Sequence, residues 1–318
     1  MRLVTYTAFG GPPLPGAELP DGAVLSLPAI LGDRTPPTVA RLMGADRALF
    51  EEIDAALDAA AADPAAAVAA GRLVPAGSAR LLAPLGERVL MVCAGANYRS
   101  HLAEMGEEPA EELAWFVKNP NSVIGTGEPI RLPARFQDKV DFEGELCVVF
   151  GSTCHAVSAE DALSYVGGYT LMNDVSARDA LDGLAAARTP ADGRYAWMNM
   201  LLGKQFPTFS PLGPAVVTAD EIGDPGDLDL TTTVNDTVMQ NANTSDLLVG
   251  IPELIERLSR YYTFEPGDVL STGTPAGVGA GHTPPVYLAP GDVVAVQVKG
   301  LGALINPVEA ASTRKGTR

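Results

Sequence analysis

The sequence predicts a β-rich α+β fold, made of a small N-terminal β/α module and a larger strand-rich body. Three observations carry this. Short apolar, β-branched runs far outnumber helical segments. Turns rich in Gly, Pro, Asn and Asp separate those runs. Strands do not alternate with helices as βαβ units require.

Taken in order, residues 1–85 form the small module. "RLVTYTAF" and "AVLSLPAIL" read as strands around a Gly/Pro turn, and residues 46–63 read as a helix with Leu49, Ile53 and Leu57 at four-residue spacing. Pro64, Gly71, Pro75 and Gly77 are expected to loosen the chain that follows. Residues 86–318 form the second domain. "RVLMVCAGANY", "EPIRLP", "GELCVVFG", "GGYTLMNDVS", "LDLTTTVND", "DVLSTG" and "DVVAVQVKG" are its strands. One helix is expected at Ser158, with Asp161 completing a capping box, and another over "PELIERLSRYY". "NTSDLL" reads as a hairpin closure, and the acidic stretch 104–113 as a solvated segment.

Composition narrows the function. A formal charge of -17 opposes binding to nucleic acid or to an anionic membrane, and leaves room for a small anionic substrate beside a local cation. Three cysteines, Cys93, Cys147 and Cys154, form no CxxC pair and point to buried thiols in a reducing compartment. No signal segment and no run of about 18 apolar residues is visible, so a soluble cytoplasmic protein is expected.

"KVDFEGELCVVFG" sets Glu143 and Glu145 at the head of an apolar strand. Two residues apart on a strand, both side chains leave one face, with Cα atoms roughly 6.6 Å apart. Such like charges need compensation, which a divalent cation supplies, and all-oxygen donors favour Mg²⁺ or Mn²⁺ over zinc. The alternative is a wetted strand face, where Glu pairs are common. Asp174, at the end of the apolar run "GYTLMND", offers a third carboxylate, with Asp179 as another candidate.

These segments resemble the fumarylacetoacetate hydrolase family. "GANYRSHLAEMG", "DFEGELCVVFG", "GYTLMNDVSARD", "GKQFPTFSPLGP", "NTSDLL" and "STGTPAGVG" occur in the family's order between residues 90 and 308. The resemblance implies a β-roll of packed mixed sheets, a homodimer, and a Mg²⁺ or Mn²⁺ ion (Ca²⁺ in some crystals) on Glu143, Glu145 and Asp174. It implies that His101 and Glu104 form the acid/base pair. It also implies that Lys204 and Arg178 face the substrate's anionic oxygens, and that Gly273 and Thr274 hold its carboxylate. Leu181 stands where many members carry Gln, Met239 where Arg is frequent, and the segment 182–201 is longer than in short members.

Each residue type suits its implied role. His101 and Glu104 are i and i+3, neighbours on one helical face, where a carboxylate orients an imidazole as a general base. Without the resemblance, a surface histidine on a polar helix is the simpler reading. Arg178 can grip a carboxylate through two parallel hydrogen bonds, or serve in a structural ion pair with Asp174 or Asp179. The leading expectation is a metal-dependent hydrolase cleaving a C–C bond of a 2,4-dioxo acid, of acylpyruvate or fumarylacetoacetate type. The alternatives are a decarboxylase, hydratase or isomerase/tautomerase of 2-oxo acids, and a non-catalytic binding protein on the same fold.

Overall fold

A computed structural model of the chain describes residues 1–86 and 89–311, without the side chains of residues 181, 184 and 185. Mixed sheets dominate it, and among the described residues none closes into a barrel. The largest sheet has 12 strands there. Through its centre run Ser210–Thr218, Val166–Asn173, Gly144–Phe150, Val269–Ser271 and Met91–Gly95, with Ala114–Val117 at the edge. A second sheet of five strands includes Asp229–Val234, Thr237–Asn243 and Val293–Val298. A short pair, Val140–Asp141 with Ser176–Ala177, lies beside the site.

The Gly144–Phe150 strand is buried along its whole length, which explains why its sequence is continuously apolar instead of alternating. Leu146, Val148 and Phe150 enter a core with Tyr98, Leu254 and Leu258. Cys147 and Val149 point the other way, into a core with Leu3, Leu25, Ile53 and Met91. The N-terminal residues therefore share both a core and a sheet with the rest: Arg2 and Leu3 pair with Val217 and Val216.

The helix Arg47–Ala62 is capped by Asp46, which accepts from Leu49 N at 2.9 Å. Ile251–Ser259 buries Ile251, Leu254, Ile255 and Leu258 on one face. Asn235 and Asp236 both take positive φ, as a tight two-residue hairpin demands.

Four local expectations change. Ser158 and Asp161 do make the capping contacts, but only a 3₁₀ turn, Ala162–Tyr165, follows because a strand begins at Val166. Pro64–Ala69 is helical, since proline is tolerated in a first turn and Asp63 caps it. The strand at 24 gives way to a helix, Leu27–Leu31. Residues 244–246 form a 3₁₀ turn, with Asn243 accepting from Ser245 N.

All three cysteines are free and buried, and burial pushes the Cys154 thiol up to about 11. Among the described residues no helix is long and apolar enough to cross a membrane.

Candidate metal centre

Glu143 and Glu145 flank Gly144 because the second sheet packs against this point. A Cβ on residue 144 would lie 2.1 Å from Thr232 Oγ1, so only glycine fits. Gly144 N donates to Gln240 Oε1 at 2.9 Å, fixing the strand's start. Asp174 arrives from the adjacent strand: Asn173 is in register with Gly144, and Asp174 N donates to Glu143 O at 2.8 Å. One carboxylate oxygen from each of Glu143, Glu145 and Asp174 lies within 4.8 Å of the others. All three residues are at most 4% exposed, which removes the wetted-face alternative.

Three cations meet these carboxylates. Lys204 Nζ donates to Glu143 Oε2 at 2.8 Å, to Asp174 Oδ2 at 2.6 Å and to Ser176 Oγ at 2.8 Å. It also lies 5.0 Å from the Phe116 ring centre. Arg178 bonds Glu143 through Nη2 and Asp141 Oδ2 through Nε, the latter at 2.9 Å. Its partners are thus Asp141 and Glu143, in place of the Asp174 or Asp179 considered for a structural pair. Lys118, wholly buried, bonds Asp174 and donates to Phe209 O at 2.8 Å.

Glu145 is different, since it bonds Ser271 Oγ and no cation among the described residues. Burial, reinforced by the charges of Asp174 and Glu143, pushes its carboxyl well above the ordinary range. Burial opposes ionisation of Glu143 as well, but Lys204 and Arg178 outweigh it and hold that carboxyl well below the ordinary range. Among the described residues, four buried carboxylates, Asp141 included, therefore face three cations, and the deficit falls at Glu145. An all-oxygen donor set with unmet negative charge fits a hard divalent cation.

Lys204 reaches the site from the end of the helix Pro190–Gly203, whose start carries a Thr189–Asp192 capping box. Gly203 lets that helix close in: a Cβ there would sit 2.9 Å from Ala177 O. The long segment 182–201 thus delivers Lys204.

His101 and Glu104 share the helix Arg99–Met105, with Nδ1 3.3 Å from Glu104 Oε2. Glu104 Oε1 also accepts from Gly277 N at 2.8 Å. Beyond the helix, residues 106–112 are exposed, as their acidic composition suggests.

Thr274 is buried, and its hydroxyl donates to Gly144 O at 3.1 Å and accepts from Gln240 Nε2 at 2.8 Å. Gly273 takes φ +95, next to Ala94 O and Asn97. Asp179 lies apart from the carboxylate cluster and accepts from Asp138 N at 3.2 Å. The side chain of Leu181 lies outside the described residues.

Sequence reasoning passed over Lys118, Asp141 and Ser271. Asp141 carried a signal, since Asp141, Glu143 and Glu145 repeat at alternate positions in "DFEGE". Lys118 ends the apolar run "AWFV", an unusual place for a lysine. Ser271 had no signal of its own.

Residues 90–309 match the family model described as fumarylacetoacetate (FAA) hydrolase C-terminal. The mitochondrial oxaloacetate tautomerase fahd2 of Xenopus laevis is 38% identical over 310 residues, covering 97% of this chain and 90% of that protein. A solved structure of fumarylacetoacetate hydrolase from the psychrophilic Exiguobacterium antarcticum superposes with a TM-score of 0.77 at 31% identity, covering 98% of this chain and all of that one. Maleylpyruvate hydrolase from Sphingobium sp. SYK-6, solved with manganese(II) and pyruvate, superposes with a TM-score of 0.73 at 27% identity and the same coverage.

Proposed function

This chain belongs to the fumarylacetoacetate hydrolase family, and from that premise we propose that it is a metal-dependent enzyme moving a proton on the carbon next to the keto group of a small 2-oxo acid. Relatives over nearly the whole chain act on small organic acids, and oxaloacetate is the substrate we assign. The reaction is keto–enol interconversion. The observation that carries this reading is the buried trio Glu143, Glu145 and Asp174, short of one cation among the described residues, with Lys204 bonded to two of its members.

In this reading Glu143, Glu145 and Asp174 hold Mg²⁺ or Mn²⁺. Such an ion supplies Lewis-acid stabilisation to charge on the substrate's oxygens. Arg178 and the backbone N–H of Thr274 bind the carboxylates, with Gly273 allowing close approach. Lys204 stabilises the developing oxyanion. Glu104 accepts from His101 Nδ1–H, which leaves Nε2 to take the proton from C3 and deliver it to the oxygen on C2, or to carry it the opposite way from enol to keto form. No carbon–carbon bond breaks.

Hydrolytic cleavage of a 2,4-dioxo acid, the leading expectation from sequence, is the second reading. The same Nε2 could instead take a proton from water, and maleylpyruvate hydrolase is among the similar structures. The two separate on products. With oxaloacetate and Mg²⁺, tautomerisation predicts faster loss of enol absorbance and no new compound. With acetylpyruvate, hydrolysis predicts acetate and pyruvate in equal amounts. Acetate release at rates matching or exceeding enol conversion would overturn the first reading. The same proposal includes a cytoplasmic homodimer in which residues 86–318 carry the chemistry and residues 1–85 support them.

A further inference from the structure

The alternating carboxylates of "DFEGE" begin one step before the metal trio, at Asp141. This residue is fully buried, and both of its oxygens are saturated. Oδ1 accepts from Phe142 N at 2.8 Å and Gly279 N at 2.6 Å. Oδ2 accepts from Ala280 N at 3.1 Å and Arg178 Nε at 2.9 Å. One carboxylate thus joins two structures: the loop 277–282 and the arginine that bonds Glu143.

That loop in turn holds the acid/base helix. Gly277 N donates to Glu104 Oε1 at 2.8 Å. Glu104 lies so tightly on the loop that a Cβ at Gly281 would fall 2.2 Å from its carboxyl carbon. A Cβ at Gly279 would fall 1.9 Å from Val286 O and 2.6 Å from Asp141 Oδ1. The glycines let the loop lie between Asp141 and Glu104 with no side chain in the way.

Resting on the metal reading above, we infer that Asp141 is a positioning residue that couples occupancy of the metal site at Glu143 to docking of the His101–Glu104 helix. Arg178 is the bridge, with Nη2 on Glu143 and Nε on Asp141 Oδ2. An ion engaged by Glu143 holds that carboxylate in one place, and through it the guanidinium. Arg178 then holds Asp141 Oδ2, the oxygen that also accepts from Ala280 N, so the loop stiffens under Glu104. Site occupancy and helix order are then linked, and a linkage of the usual size changes local opening by about fivefold or more. Asp141→Asn breaks it, because an amide NH₂ cannot accept from a backbone N–H or from Arg178.

The test is amide hydrogen exchange of the full chain, with and without Mn²⁺ and with no substrate present, read in peptides covering 99–106 and 277–282. In the wild type Mn²⁺ should slow exchange in both peptides by about fivefold or more. In Asp141→Asn it should change them by less than about twofold. Arg178→Met cuts the link from the other side and leaves Asp141 its three backbone donors. It should behave alike, which keeps the inference open to refutation should Asp141→Asn not fold. Equal slowing in either folded variant would overturn the coupling. So would wild-type protein that binds Mn²⁺ with no change in these peptides, a result that leaves the metal reading standing. Wild-type protein that binds no Mn²⁺ would overturn both.

Discussion

The Lys204 ammonium lies 2.6 Å from the Asp174 carboxylate, in the space between Asp174 and Glu143 where a divalent ion is proposed to bind. A side chain that offsets the charge of two ligands both stabilises the metal-free protein and competes with the ion. Lys204→Met should separate these effects. Metal-free stability should fall by about 2–3 kcal/mol, at the low end for a broken buried pair because Lys204 is partly open. Mn²⁺ affinity should stay equal or rise, and activity should fall at least ~100-fold. Denaturant melts with and without Mn²⁺ check the first two, and Mn²⁺ at about 100 times its Kd should return roughly 2.7 kcal/mol.

Glu145 predicts an unusual pH dependence. Its folded carboxyl is raised above the ordinary value of 4.5, so between those two values the folded state holds a proton that the unfolded state has lost. Metal-free stability therefore falls as pH rises through this window, by up to about 1.4 kcal/mol per unit. Glu143 acts in the opposite sense: its contribution is complete above the ordinary carboxyl range and is lost only in strong acid. Glu145→Gln should make the chelator-treated protein more stable than wild type at pH 7–8, with the advantage shrinking towards pH 4.5. Denaturant midpoints across a pH series measure it.

His101 should matter to chemistry and not to the ion. His101→Asn should lower kcat by about 10²–10⁴-fold, the usual contribution of a general base, with Mn²⁺ affinity within about twofold. Glu104→Gln should cost less, about tenfold, because it acts through the imidazole. A matched loss of Mn²⁺ binding in His101→Asn would place this histidine among the ligands instead.

Much of this site was legible in the sequence because strand geometry is simple. Period two puts Glu143 and Glu145 on one face, and an apolar run ending in an acid puts Asp174 at the mouth of the next strand. The fold class followed from strand-rich texture and turn residues. The charge environment was not legible, since Lys118 and Arg178 reach the carboxylates across separations of 56 and 35 residues. Nothing local in "FVKNP" says which acid that lysine will meet. Ser158 failed as a helix start for the opposite reason: its local contacts formed, but the strand at Val166 overrode propagation.

The most direct measurement is Mn²⁺ binding itself, read as free ion by electron paramagnetic resonance for the wild type and Glu145→Gln. One ion per chain is expected in the wild type, with binding weakened at least ~100-fold when the carboxyl that lacks a cation becomes an amide. Equal affinity in the two proteins, or no binding in the wild type, would contradict it.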